Sequence, residues 1–281
     1  MLHSIINSRH RPIILTGQPS FERPDSQLAT ASQMYEDSFA PWSAHFRGEP
    51  EMDRKVWEYA FIMQAVTTYA GVGAGKRGLA FGSGKEIIPS IFAAKGCEIV
   101  VTDYVPDISD RGWEARGLND LHYPDIIERN DFERLVSFRH QDMNYIDDDL
   151  RDFDFIWSTG SLEHIGSHAN GLAFVENAMR CLKPGGIAVH TTEFTVSSET
   201  KGRDHPDLSF YCRKDIENLA MRLLNAGHYL ALNFTRGNTL ADTHVEVAPY
   251  GAGQNLNVHF LSHVITPIGL IIQKDGIRQS F

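Results

Sequence analysis

The stretch Gly78-Leu-Ala-Phe-Gly-Ser-Gly-Lys-Glu86, followed by the apolar run Glu98-Ile-Val-Val-Thr-Asp103, constrains the fold of this chain more than any other feature. A strand that ends in a tight glycine turn and opens a helix, with a second strand ending in an acid, reads as the start of a parallel α/β sheet. Glycines let bare backbone approach a ligand, and Asp103, nineteen residues past Gly84, is placed to accept from ribose hydroxyls. The pattern predicts a cradle for a nucleotide-like cofactor.

The same residues discriminate among cofactors. A dinucleotide fold wants G-x-G-x-x-G, and Ile87 stands where the third glycine belongs, so a nicotinamide-dependent oxidoreductase is the weaker reading. A phosphate loop needs G-x-x-x-x-G-K-[ST], and neither Gly75-Lys76-Arg77 nor Gly84-Lys85-Glu86 supplies the Ser or Thr. Glu86 at the opening of the helix would repel a pyrophosphate. It suits a cofactor with a positive centre and no phosphate, which is the charge pattern of S-adenosylmethionine.

Further motifs follow in order: Gln141-Asp-Met143, Phe153-Asp-Phe-Ile-Trp-Ser-Thr-Gly-Ser-Leu-Glu-His-Ile165 and Leu182-Lys-Pro-Gly-Gly-Ile-Ala-Val189. With Ala80-Phe-Gly-Ser-Gly84 and Asp103, these make the chain resemble class I S-adenosylmethionine-dependent methyltransferases from about Arg77 to Lys274. Within that class it is similar to the group carrying a Leu-Glu-His-Ile segment after the fourth strand. The resemblance implies a Rossmann-like methyltransferase fold: a seven-stranded, mostly parallel sheet with an antiparallel edge strand and helices on both faces. It also implies S-adenosyl-L-methionine held by Phe81, Gly82, Ser83, Gly84, Asp103 and Tyr104, with Asp142 and Met143 at the adenine and Ser158, Thr159 and Gly160 along the methionine portion.

Periodicity divides the chain into a helical arm or lid over 1–75 and a methyltransferase domain over 76–281. A helix is expected from Asp53 to Tyr69, where apolar residues recur at helical spacing before the glycine linker Gly71 to Gly75. Strands are expected at Gly78–Phe81, Glu98–Asp103, Val136–Gln141, Phe153–Ser158 and Ile187–Thr192, with helices at Glu86–Lys95, His168–Leu182 and Asp215–Asn225. One or two helices are expected between Val105 and Arg134, and a closing strand pair at Tyr229–Phe234 and Ile268–Gln273.

Methyl transfer from a sulfonium is an in-line displacement, which needs alignment and, for a hydroxyl acceptor, a base. Glu163 and His164, after the fourth strand, are the first candidates, because histidine titrates near neutral pH. His190 and Glu193 form a second pair; three apart on a strand, they fall on opposite faces, with Glu193 in the pocket. The tail residues His244, Glu246, His259 and His263 match no compact ligand spacing, so no metal site is predicted. Alternation over Asn257–His263 places Asn257, His259 and His263 on one strand face, and Asn255 and Asn257 are candidates to hydrogen-bond a hydroxyl-rich acceptor. The leading reading is O-methylation of a small or saccharide-like molecule; a cofactor-binding partner subunit without turnover is the alternative from another class.

Composition sets the remaining bounds. A formal charge of −10, with 26 basic against 36 acidic residues, argues against a nucleic-acid partner held by its phosphates. Cys97, Cys181 and Cys212 are odd in number and lack C-x-x-C spacing, which fits a reducing cytoplasm. No run approaches the roughly 18 apolar residues of a membrane span. Whether the chain forms a homo-oligomer is left open.

Overall fold

The computed structural model describes residues 12–46, 52–104, 112–250 and 255–276. In chain order the elements are β1 (Ile13–Leu15), β2 (Ser26–Leu28), α1 (Ala31–Met34), α2 (Ala40–Ser43), α3 (Arg54–Tyr69), β3 (Arg77–Phe81), α4 (Ile88–Ala94), β4 (Glu98–Asp103) and α5 (Arg129–Leu135). There follow β5 (Val136–His140), β6 (Phe153–Thr159), α6 (His168–Ala178), β7 (Leu182–Thr195), α7 (Arg213–Asn225), β8 (Ala231–Asn233), α8 (Leu240–Thr243), β9 (Val258–Phe260) and β10 (His263–Gln273).

Alternation along the central strands sets the layers. Ala80 of β3, Phe155 and Trp157 of β6, and Ile187 and Val189 of β7 face a cluster built on α3, α4 and α5. Their neighbours Leu79 and Phe81, Ile156, and Ala188 face α6 and α7 through Phe174, Val175, Leu219 and Leu223. The mixed α/β, Rossmann-like arrangement implied by the motifs is therefore present, with helices on both faces of one sheet.

The sheet runs β1-β8-β2-β10-β7-β6-β3-β4-β5, with β9 paired to β10, so among the described residues it holds ten strands where seven were expected. Strands β3 to β7 pair in parallel, and β10 is antiparallel to β7. β10 also pairs with β2, which places the antiparallel strand inside the sheet instead of at its edge. The expected closing pair meets only at the Tyr229 and Gln273 bridge. Beyond that bridge β2 enters between β8 and β10 and takes their hydrogen bonds. β2 reads Ser-Gln-Leu, too short and too polar to announce a strand.

Within the 1–75 segment, β1 and β2 pair into this sheet and α3 packs against β7 and β10. Asp53 caps α3 by accepting from the amides of Lys55 (2.8 Å) and Val56 (2.9 Å). Trp57 and Phe61 of α3 stack with centroids 4.8 Å apart and are fully buried. Of the span Val105–Arg134, residues 105–111 lie outside the described residues; the remainder holds a 3-10 turn at Leu118–Asp120 and the start of α5. The expected strand face over Asn257–His263 is broken, because Leu261 takes φ +54° and the chain turns from β9 into β10.

Gly269 of β10 lies under Phe61, and a Cβ there would run into the aromatic ring. Gly269→Ala is expected to lower stability by about 1–3 kcal/mol through overpacking, read from the urea midpoint at unchanged slope.

Candidate active site

Gly82 and Gly84, in the turn after β3, take φ +55° and +56°, where a Cβ is disfavoured. A Cβ on Gly82 would come within 2.8 Å of Ser161 Cβ and 2.9 Å of Met143 Sδ. The glycine turn, the segment after β5 and the segment after β6 thus meet within the breadth of one methyl group. Phe81 is buried against Phe174 (5.2 Å between centroids), so it offers this junction only its backbone. The Ser83 amide donates to the Thr102 carbonyl (3.1 Å), which fixes the turn against β4.

Asp103 ends β4 with a buried carboxylate. Oδ2 accepts from the amides of Gly84 (3.1 Å) and Ala115 (2.8 Å), and Oδ1 from that of Tyr104 (2.9 Å). Burial pushes its carboxyl above the ordinary range, although these three amides pull the other way. A carboxylate has about four lone-pair sites, so these three amides leave one on Oδ1. Residues 112–115 lie along the turn: the Lys85 amide donates to the Trp113 carbonyl (3.0 Å), and Lys85 Nζ to that of Gly112 (2.9 Å). The Tyr104 side chain stands exposed at this mouth.

Several expected contributors are occupied elsewhere. Asp142 Oδ1 accepts from the Asn144 amide (2.8 Å) and Nδ2 (3.1 Å), closing a turn that presents the buried Met143. The Ser158 hydroxyl pairs with His190 Nδ1 (2.8 Å) on the α6 face of the sheet, away from the turn. Thr159 Oγ1 donates to Glu86 Oε2 (2.8 Å). Gly160, at φ +53°, donates to the Thr191 carbonyl (3.1 Å) and Oγ1 (3.2 Å). Asn255 Oδ1 accepts from the Arg54 amide (2.8 Å) while its Nδ2 donates to Asp53 (2.9 Å), and Asn257 Nδ2 donates to the Asp242 carbonyl (2.8 Å). Both asparagines hold backbone in place, which corrects their reading as acceptor ligands.

The base candidates separate by burial. His190 has no exposed surface, packs edge-on to Phe174 (5.5 Å) and has its pKa pushed down to about 3 by burial. It is a neutral core histidine, which corrects its reading as a base. β7 continues to Thr195, so His190 and Glu193 lie on opposite faces, and Glu193 pairs with Arg54 of α3. Glu163 is buried, accepts from Thr192 Oγ1 (2.9 Å), and is shifted upward first by burial. His164 is exposed in the 3-10 turn Leu162–His164, with Nδ1 2.6 Å from the Asp207 carbonyl.

The first turns of α3 supply groups that the sequence reading passed over. A Cβ on Gly160 would run into Lys55 Nζ and come 3.2 Å from Glu58 Oε2 and 3.4 Å from Glu163 Oε1. Glu58 also accepts from Thr191 Oγ1 (2.6 Å) and pairs with Lys55 (3.2 Å). The overlooked signal is spacing: Arg54 and Glu58 fall on the same helical stripe as Phe61 and Ala65, where charge is unexpected. Glu86 was read as facing a positive centre at the helix opening. Its carboxylate is instead 2% exposed, accepting from Trp157 Nε1 (2.6 Å) and Thr159, with its pKa pushed up to about 7 by burial against the pull of those hydrogen bonds and of Lys55.

Among the described residues no group of three or more His, Cys, Asp or Glu is arranged to hold a metal, and no helix is long and apolar enough to cross a membrane. Residues 55–243 match the family model described as a methyltransferase domain. The chain belongs to that family.

No curated protein matches this methyltransferase domain. Similar solved structures include a proposed sarcosine dimethylglycine methyltransferase from Galdieria sulphuraria, at 18% identity over 50% of this chain and 45% of that one, TM-score 0.36. Phosphoethanolamine N-methyltransferase 2 of Haemonchus contortus, in complex with S-adenosyl-L-methionine, matches at 16% identity over 68% and 38%, TM-score 0.36. A Burkholderia thailandensis 1,6-didemethyltoxoflavin-N1-methyltransferase matches at 16% over 87% and 81%, TM-score 0.43. The matched stretch spans less than half of the Galdieria and Haemonchus chains.

Glu86 gives this methyltransferase domain a stability signature. Its folded pKa, about 7 against 4.5 for a free side chain, means that folding favours the protonated carboxyl. Its contribution is full below about pH 4.5 and is lost as pH rises through about 7. Wild type minus Glu86→Gln, compared by urea denaturation from pH 4.5 to 8, is expected to fall over that window.

Proposed function

We propose that this methyltransferase domain moves a methyl group from S-adenosyl-L-methionine to an oxygen of a small, hydroxyl-rich or saccharide-like acceptor. The residues at the glycine turn fit the donor: Gly82 and Gly84 offer backbone free of side chains, Asp103 has a lone pair for a ribose hydroxyl, and Met143 offers an apolar surface. When bound, the donor supplies an electrophilic methyl on positively charged sulfur. The adenine role of Asp142 is carried here by the turn it builds under Met143.

One observation carries the O-methylation reading. His164 follows directly on the Gly160–Ser161 segment that touches Gly82, and its ring orientation is set by Asp207. A carbonyl only accepts, so Nδ1 bears the hydrogen and Nε2 keeps the lone pair that takes a hydroxyl proton. Glu163 is buried beside it, and Lys55 with Glu58 closes the other side of Gly160. Alignment accounts for the larger share of the acceleration, since a positioned reactant is worth roughly 7–11 kcal/mol. We place the reaction in a reducing cytoplasm, in keeping with the unpaired, buried Cys97, Cys181 and Cys212.

The deciding experiment incubates the protein with methyl-labelled donor and fractionated acceptor mixtures, then locates the label by mass spectrometry; label on nitrogen or carbon alone rejects O-methylation. Asp103→Ala is expected to weaken donor binding by about 10- to 100-fold, as loss of a charge-assisted hydrogen bond would, read by titration calorimetry. His164→Ala is expected to keep donor affinity and to slow turnover by about 10²- to 10⁴-fold. Unchanged turnover in that variant would move the base to Glu163 or Glu193.

A further inference from the structure

We propose that Glu86 is the residue by which the glycine turn distinguishes the methyl donor from its demethylated product, its buried carboxylate favouring positively charged sulfur over neutral sulfur. The inference rests on the donor reading above and adds a specificity role for a residue buried behind the turn.

The geometry has two parts. Glu86 stands two residues past Gly84 and is held from β6 by Trp157 Nε1 (2.6 Å) and Thr159 Oγ1 (2.8 Å), so it ties the glycine turn to the segment that continues into Gly160. Both donors place hydrogens on the carboxylate, which fixes it without neutralising it. The second part is charge. From α3, Lys55, Glu58 and Tyr59 face this region; Tyr123 approaches with its hydroxyl on the Lys85 carbonyl (2.8 Å). Lys55 acts on Glu86 and is paired with Glu58 (3.2 Å), while His164 and then Lys55 act on Glu163. Three buried carboxylates therefore share one ammonium around Thr159 and Gly160.

Burial disfavours the charged form of a carboxylate and pushes the carboxyls of both Glu163 and Glu86 upward. For Glu86 the pKa is pushed up to about 7, so it is half protonated at neutral pH. A sulfonium entering beside the glycine turn favours the ionised carboxylate and expels the proton. The product has the same adenosyl and amino acid parts but an uncharged sulfur, so it gains nothing from that ionisation. The preference for donor is weak below about pH 6 and strengthens as pH rises through 7.

The test is titration calorimetry of wild type and Glu86→Gln with S-adenosylmethionine and S-adenosylhomocysteine from pH 5.5 to 8.5, in buffers of different ionisation enthalpy. Comparing the two proteins cancels titration of the ligands' own amino groups. Wild type is expected to release up to about half a proton more than the variant on binding donor at pH 7. Its donor-to-product affinity ratio, relative to the variant's, is expected to rise about tenfold for each unit by which binding lowers the carboxyl pKa. Thr159→Val, which removes one donor to the carboxylate, is expected to move the midpoint to higher pH and keeps the question decidable if Glu86→Gln does not fold. Equal pH dependence in wild type and Glu86→Gln, or an unmoved midpoint in Thr159→Val, overturns the inference while leaving the donor reading intact. Failure of wild type to bind either ligand overturns both.

Discussion

The docking of α3 against the carboxyl half of β7 is the contact on which the site depends. Arg54 meets Glu193 and, one helical turn later, Glu58 meets Thr191, so the helix descends as the strand ascends. The match is geometric: one turn advances about 5.4 Å and two strand residues about 6.6 Å, close enough for two successive rungs. Below them Phe61 lies over Gly269 and supplies the apolar anchor that the polar rungs lack. A buried ion pair is poor at adding stability on its own. Its value here is register, because it delivers the first turn of α3 to the ends of the strands.

From that register the charges around Gly160 follow. The glycine is tied to Thr191 through its amide, Thr191 is tied to Glu58, and Glu163 comes in on a hydrogen bond from Thr192. Successive residues of β7 thus reach opposite sides of the sheet and are drawn together only where the strands end. Carboxylates that would be excluded from an ordinary core are tolerated at such a place because hydroxyls and one lysine answer them. Burial accounts first for the upward shifts of Glu86 and Glu163, with the charge of Glu58 adding to that of Glu163. Strain of this electrostatic kind is what a binding site can exchange for selectivity.

Much of the scaffold was legible in the chain. Glu98–Asp103 is a strand with the expected bounds, and the glycine turn, α3, α6 and α7 fall within a few residues of expectation, with α6 ending at Ala178 and passing into a 3-10 turn. These elements carry their own signals: apolar period, caps and glycines that need positive φ. The miss at the closing strand pair has an equally local cause. β2 has three residues and no apolar alternation, and it becomes a strand only because β8 and β10 leave it a slot with unpaired backbone. The site was partly legible. Asp103, Met143 and Gly160 could be placed because strand ends are predictable, whereas the hydroxyls of Ser158 and Thr159 were free to turn either way.

What the sequence determined by itself was the cradle: strand, glycine turn, second strand and acid are contiguous, and their geometry follows from local backbone preference. What only the tertiary structure decided was which charged groups surround it. Whether a histidine is a base or a core residue depends on the face its strand presents, and His190 lost that role to Phe174 and Ser158. Arg54, Lys55 and Glu58 joined the site through a helix more than a hundred residues distant along the chain from Glu163 and Glu193. Long-range electrostatics depends on distances through space, and those exist only once the sheet is assembled and α3 is packed against it.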